Sequence, residues 1–128
     1  MKKKNLVPLV LLLALSVACV KNVNAPIPGS ANAFDSSSYL SLVTTDSVIQ
    51  SAKADLAASK FPPSVAGNVK TALNGLIQAY NIANVSYQAY HTAALSGQAT
   101  ADQQFAVQTG LANVQTAMAG LTQAKAGN

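Results

Sequence analysis

The middle of the chain carries the clearest hydrophobic pattern, a series of mostly large apolar side chains separated by alternating steps of four and three residues. We call this set the large-residue row; it consists of Val69, Leu73, Leu76, Tyr80, Ala83, Tyr87, Tyr90 and Ala94. Steps of four and three are typical of a helix that buries one face against its neighbours. The row predicts one long helix that begins near Pro63 or Ser64 and ends before Ser96-Gly97.

A second series of apolar positions runs beside the first and contains mostly small side chains. This small-residue row consists of Ala72, Gly75, Ala79, Ile82, Ser86, Ala89 and Ala93. The two rows together form a broad face, and we expect the small-residue row to receive the first helix of the same chain; an interface with another copy is the alternative. The opposite face carries neutral amides at Asn74, Gln78, Asn81, Asn84 and Gln88.

Two shorter helical patterns flank the long one. The first has apolar positions at Leu42, Thr45, Ile49, Ala52 and Leu56, and the third at Val107, Leu111, Val114, Met118 and Leu121. Cap-forming residues at 35–38 predict that the first helix begins there, and Phe61-Pro62-Pro63 is expected to break it. Thr100 and Gln103 are spaced as a capping box for the third helix. Short connections favour an all-α, antiparallel, up-down-up bundle of three helices over residues 37–128.

The first 18 residues have the pattern of an export signal. Three lysines at positions 2–4 precede an apolar run from Leu6 to Ala18. This run is too short for a transmembrane helix, which needs about 18 apolar residues or more, and it is close to the length of a signal-peptide core. We therefore expect residues 1–18 to be a cleaved signal peptide.

The leader ends in Leu15-Ser16-Val17-Ala18-Cys19, with small side chains before the single cysteine. This segment resembles the lipobox of bacterial lipoprotein precursors, although Ser16 stands where Leu is most common. The resemblance implies that Cys19 becomes the first mature residue and receives a diacylglyceryl group, with acyl chains such as palmitate. Val20, where Asp would favour inner-membrane retention, implies the outer membrane if the host has two. Ordinary secretory cleavage, or a Cys19 that is only an apolar leader residue, is the alternative.

The segment from the cysteine to the first helix lacks a sustained hydrophobic period. Residues 19–36 contain Pro26, Pro28 and Gly29 among small and polar residues. Such a composition is typical of an extended linker. We expect the lipidated cysteine and a flexible tether at 19–36 to hold the bundle domain near a membrane.

Charged residues are scarce and their distribution excludes one class of partner. Only 9% of the residues are charged, and Arg and Glu do not occur. The formal net charge is +4, but three of the eight lysines belong to the leader. From Cys19 onward the remaining lysines are scattered along the chain. Binding to nucleic acid needs clustered cations, so a nucleic-acid partner is not expected.

The residues with the most chemical potential lie together on the second predicted helix. Tyr80, Tyr87, Tyr90 and His91 are candidates for contact with a ligand or partner. The three tyrosines belong to the large-residue row, so a core position with the hydroxyl at the bundle edge is the other interpretation. A catalytic triad would need His91, one of four aspartates and a serine to converge, and no Gly-x-Ser-x-Gly segment is present. With one His and one Cys, no metal, cofactor or enzymatic activity is expected.

These features together predict an exported lipoprotein of the cell envelope. The helical bundle is expected to act by binding or structural support, with the membrane as one partner through the lipid and with a protein partner or self-association as a further possibility. The alternative function is a periplasmic carrier or sensor module that binds a small apolar ligand among Tyr80, Tyr87 and Tyr90. A cavity enclosed by these rings would favour the carrier, and a filled core would favour the scaffold.

Overall fold

The computed structural model describes residues 28–127, which form three α helices joined by short turns. The helices are α1 (Ala33–Ala57), α2 (Pro63–Leu95) and α3 (Ala101–Lys125), and the described residues contain no strand. The prediction of an all-α three-helix bundle is confirmed. The expected signal peptide and Cys19 lie outside the described residues.

The helices alternate in direction, and α2 packs more extensively on α3 than on α1. At 1.5 Å per residue, the 33 residues of α2 extend about 50 Å. The beginning of α1, the end of α2 and the beginning of α3 lie together at one end, which we call the N-terminal pole. The turn between α1 and α2 lies at the other end, with the end of α3, and we call this end the far pole.

The core is built from the large-residue row and the apolar positions of the two shorter helices. In α2 all members of the row are buried except Tyr80 and Ala94, which are partly buried and pack against the core. The main contributors from the other helices are Leu42, Ile49, Ala52, Val107, Val114 and Leu121. Leu76 is fully buried, and most of the amides on the opposite face of α2 are exposed. The sequence pattern therefore identified the buried face of α2 correctly.

The small-residue row is covered by neighbouring helices only in part, so the role expected for it was wrong for its exposed members. Gly75 and Ala89 are exposed, Ile82 is 64% exposed, and a Cβ added to Gly75 would meet no atom within 4 Å. Only part of the row, including Ala72 and Ala79, packs against the core. Each of these residues is offset from the large-residue row by about one position, or about 100° around the helix. The row therefore lies at the edge of the covered face, and no close approach of α1 occurs at Gly75.

The close helix contact that involves a glycine occurs between α2 and α3. Gly110 is buried, and a Cβ added there would lie 2.9 Å from the Cα of Ala83. Ala83 belongs to the large-residue row, so the small pair that lets two backbones approach consists of Ala83 and Gly110.

The first helix begins earlier than the sequence analysis placed it. The N-cap of α1 is Asn32, whose side-chain Oδ1 accepts a hydrogen bond from the backbone N–H of Asp35 at 2.9 Å. Residues 33–36, which were assigned to the tether, are helical and belong to the bundle. Asn32 caps the helix. The polar side chains at 35–38, which were expected to cap it, lie within its first turns instead.

The other helix ends agree better with the sequence. Thr100 and Gln103 form the predicted capping box, and α2 begins at Pro63. The first helix ends at Ala57, before the predicted break at 61–63, because Ser59 adopts a positive φ of 54°. The N–H groups of Ser59 and Lys60 then bond to the carbonyls of Leu56 and Asp55, which completes a Schellman motif.

Two glycine-to-alanine substitutions test the packing of α2 against its neighbours. Gly110→Ala should destabilise the bundle by about 1–3 kcal/mol because the added methyl group meets the α2 backbone. Gly75→Ala is the matched control in open space and should stabilise by about 0.5–1 kcal/mol through helix propensity. Urea unfolding of both variants measures the effects. Equal effects of the two substitutions would show that α3 does not approach α2 at Ala83.

Candidate functional site at the N-terminal pole

The structure places the four candidate residues on α2 and brings three of them together against the start of α1. Tyr87, Tyr90 and His91 lie within one turn of each other and contact residues 32–39. Tyr80 lies two turns earlier on α2 and is not part of this group. We use the name polar clasp for these three residues together with their partners at the start of α1, which are Asn32, Phe34, Asp35 and Tyr39.

The central contact of the polar clasp joins Asp35 to His91. The imidazole Nδ1 lies 2.8 Å from Oδ2 and 3.0 Å from Oδ1 of the Asp35 carboxylate. Asp35 is completely buried, whereas the side chain of His91 is 30% exposed. Because a carboxylate only accepts hydrogen bonds, Nδ1 carries the proton and donates it. The backbone N–H of Ala31 donates a second bond to Oδ2 at 2.8 Å.

A second link joins the N-cap of α1 to α2. The side-chain amide of Asn32 donates a hydrogen bond to the Tyr90 hydroxyl at 3.0 Å. The ring of Phe34 meets that of Tyr90 edge to face, with centroids 5.0 Å apart. Aromatic pairs favour this arrangement because the ring edge is positive and the ring face negative. The first three residues of α1 and its cap are therefore fixed to α2 by both polar and aromatic contacts.

Tyr87 packs against the Asp35–His91 pair. Its ring stacks on the imidazole at a centroid distance of 5.6 Å and lies 6.3 Å from the ring of Tyr39. Burial raises the pKa of Tyr87 to about 12, and the negative charge of Asp35 and a hydrogen bond to it act in the same direction. The phenol is therefore held neutral beside the carboxylate over the physiological pH range.

The start of α1 also buries polar side chains beyond Asp35. Ser36 and Ser38 are buried, as is Thr45 two turns further along. Thr45 donates to the carbonyl of Ser41 at 2.8 Å, whereas Oγ of Ser38 has no hydrogen-bond partner among the described residues. All the buried polar residues of the described core belong to α1. The interface of α1 with the rest of the bundle is thus partly polar.

The space around the tyrosines is filled by side chains of the same chain. Tyr87 and Tyr90 are buried, and their rings contact Phe34, Tyr39 and His91. Two open depressions of about 350 and 540 Å³ lie near the far pole between α1 and α2, and neither is lined by a tyrosine. Within residues 28–127, no group of three or more metal-ligand side chains lies together.

Sequence reasoning found the α2 half of the polar clasp and missed the α1 half. Asp35 was interpreted as a capping residue, and Asn32 was assigned to the tether. The detectable signal was the spacing of Asn32 and Asp35, since a cap residue and an acidic residue three positions later resemble a capping box. The pairing of Asp35 with His91, 56 positions along the chain, had no local signal.

None of the three described helices combines the length and apolar character needed to cross a membrane. Comparisons with protein-family models, with curated proteins and with solved structures gave no match.

Substitution of Asp35 tests whether the polar clasp holds α1 in place. Asp35→Asn keeps the size of the side chain but removes the charge that His91 contacts, so the free energy of unfolding should fall by about 1–3 kcal/mol. Asp46→Asn on the same helix is the matched control, because Asp46 bonds only to the exposed side chain of Gln50. Urea unfolding of both variants is the measurement. A change within about 0.5 kcal/mol for Asp35→Asn, typical of surface sites, would contradict a stabilising clasp.

The raised pKa of Tyr87 predicts how stability changes in alkali. The folded protein holds this phenolic proton up to about pH 12, whereas an ordinary tyrosine loses it near 10.0. The contribution of Tyr87 is therefore complete below pH 10 and is lost as the pH rises from 10 to about 12. Tyr87→Phe should reduce the alkaline loss of stability, whereas Tyr39→Phe, at an exposed ring, should leave most of it. The measurement is the free energy of unfolding of the wild type and both variants at several pH values between 9 and 12. Equal slopes of this free energy against pH in all three proteins would refute the assignment to Tyr87.

Proposed function

We propose that this protein is exported, is anchored to a membrane by lipid at Cys19, and acts in the cell envelope by binding or structural support. The observation that carries the proposal is the leader, in which basic residues and a short apolar run end at Leu15-Ser16-Val17-Ala18-Cys19. In a host with two membranes the anchor is in the outer one. The proposed role involves no catalysis and no metal or cofactor.

The packing of the bundle supports a scaffold more than the carrier alternative. A carrier for an apolar ligand needs an enclosed, mostly apolar cavity. Two of the three tyrosines proposed to line that cavity, Tyr87 and Tyr90, pack instead against other rings of the same chain. A filled group of rings is what a rigid support requires.

The position of the polar clasp also fits an anchored protein. The chain enters the bundle at the N-terminal pole, so a pull transmitted from Cys19 reaches Asn32 and Asp35 before any other part of α1. Chain ends fray unless they are tied down. The contacts of Asn32 with Tyr90 and of Asp35 with His91 tie this end to the longest helix. We infer that the polar clasp keeps the start of α1 folded when force acts on it through the anchor.

The outer surface of α2 indicates the kind of partner that such a support would contact. Four of the five amides on this face are exposed, and charged side chains are few along the helix. Neutral amides donate and accept hydrogen bonds without a charge requirement. A protein partner or a second copy of the chain fits this surface better than nucleic acid, which needs clustered cations.

The lipid anchor is tested by Cys19→Ser in a bacterial expression host. The wild-type protein should partition into the detergent phase of Triton X-114, and mass spectrometry of its N-terminal peptide should find acylated Cys19. Cys19→Ser should abolish the acylation because only the thiolate of that residue accepts the diacylglyceryl group. Asn24→Ser, a change of similar size five residues later, should behave like wild type. A soluble wild-type protein with an unmodified N-terminus beyond Cys19 would refute the proposed anchor.

A further inference from the structure

The two poles of the bundle expose different kinds of side chain. Among the described residues, the exposed large hydrophobic side chains all lie in the half of the bundle nearer the N-terminal pole, at Tyr39, Leu40, Val43, Ile82, Val85, Leu95 and Phe105. The lysines of the described residues all lie in the opposite half, at Lys53, Lys60, Lys70 and Lys125. Because the helices alternate in direction, residues from three separate parts of the sequence meet in each half.

Two of these hydrophobic residues lie closest to the end of the bundle. Leu95 is the last residue of α2 and is 58% exposed, and Phe105 lies in the second turn of α3 and is 68% exposed. Both flank the turn between α2 and α3, at the pole where the described chain begins. These two side chains give the N-terminal pole an exposed apolar surface.

The length of the chain before the bundle limits how the bundle can face a membrane. Eight residues lie between Cys19 and Pro28, and the nine steps along this chain, at about 3.6 Å each, reach at most about 32 Å. The bundle itself is about 50 Å long. A lipid on Cys19 therefore keeps the N-terminal pole near the membrane and prevents the bundle from standing upright on its far pole.

The charges determine which kind of contact this pole can make. Near the N-terminal pole the described residues carry Asp102 at the start of α3 and Asp35, which is paired with His91. No lysine of the described residues is found there. Contact at this pole would thus depend on apolar side chains rather than on attraction to anionic lipid.

We propose that the N-terminal pole rests on the lipid headgroup region through Phe105 and Leu95, and that the lysine-bearing far pole projects away from the membrane. This inference depends on the proposed lipid anchor. The surface contact fixes the orientation of the bundle, because an anchor on a tether alone would leave the bundle free to tilt. The partner of this surface is a zwitterionic or mixed lipid bilayer.

The absence of tryptophan from the sequence makes a direct test possible. Phe105→Trp places one fluorophore at the N-terminal pole, and Gln123→Trp, at an exposed position in the last turn of the same helix, is the matched substitution at the far pole. Each full-length protein is purified with its lipid and reconstituted in phosphatidylcholine vesicles, with and without brominated phosphatidylcholine. The Phe105→Trp protein should show a blue shift and loss of emission with the brominated lipid, and the Gln123→Trp protein should show neither.

Leu95→Trp, on the other side of the same turn, provides a second reporter if Phe105→Trp does not fold. Circular dichroism confirms that each variant is helical. Replacement of part of the phosphatidylcholine by phosphatidylserine should leave the contrast between the poles unchanged, because the N-terminal pole has no lysine to attract it.

The outcomes separate this inference from the proposed anchor. Proteins that stay on the vesicles but are quenched equally weakly at both poles would overturn the pole contact and leave the anchor in place. Quenching of the Gln123→Trp protein instead would mean that the lysine-bearing pole contacts lipid, which also overturns the inference. A blue shift without quenching by brominated lipid would indicate a second copy of the chain as the occupant. Protein that is released from the vesicles would refute both the anchor and the contact.

Discussion

The structure depends on one buried carboxylate. Asp35 is completely shielded from solvent, and a charge in that position is costly unless hydrogen-bond donors surround it. Nδ1 of His91 and the backbone N–H of Ala31 supply these donors. The Ala31 N–H reaches the carboxylate locally, across the N-cap of α1, whereas His91 reaches it only when the first turn of α1 lies against the last turns of α2. The requirement of one side chain therefore determines where the first helix begins and which part of the second helix it contacts.

This requirement also explains why the aromatic residues of α2 form part of the structure rather than a ligand cavity. The ring of Tyr87 stacks on the imidazole of His91. The hydroxyl of Tyr90 accepts a hydrogen bond from the side-chain amide of the cap residue Asn32. A buried polar group gains most when all its partners are present, so each ring that excludes water strengthens the contacts beneath it. Two of the tyrosines that suggested ligand contact in the sequence, Tyr87 and Tyr90, thus form contacts between α1 and α2 instead.

The sequence predicted those parts of the fold that depend on local pattern. The large-residue row identified the buried face of α2, and the spacing of Thr100 and Gln103 identified the start of α3, because both signals lie within a few turns of one helix. The partner of Asp35 is distant in sequence, and no periodicity indicates it. The burial of the small-residue row was predicted less well for a related reason. Whether a second row lies beneath a neighbouring helix or at an edge depends on the angular position of the other helices, which no local pattern gives. The lipid anchor and the role in the envelope remain predictions.

The two interfaces of α2 differ in kind, and this difference bears on how an anchored bundle would respond to load. Against α3 the backbones approach closely at Ala83 and Gly110, and α2 packs more extensively on α3 than on α1. Against α1 the buried contacts include Asp35, Ser36 and Ser38, of which Ser38 leaves its hydroxyl without a partner in the described chain. Regions with fewer apolar contacts open at lower free energy than the rest of a domain. The hairpin of α2 and α3 is therefore the stable unit, and α1 is the element whose attachment depends on the polar clasp. Since the chain from Cys19 enters through α1, the clasp lies between the proposed anchor and the stable hairpin.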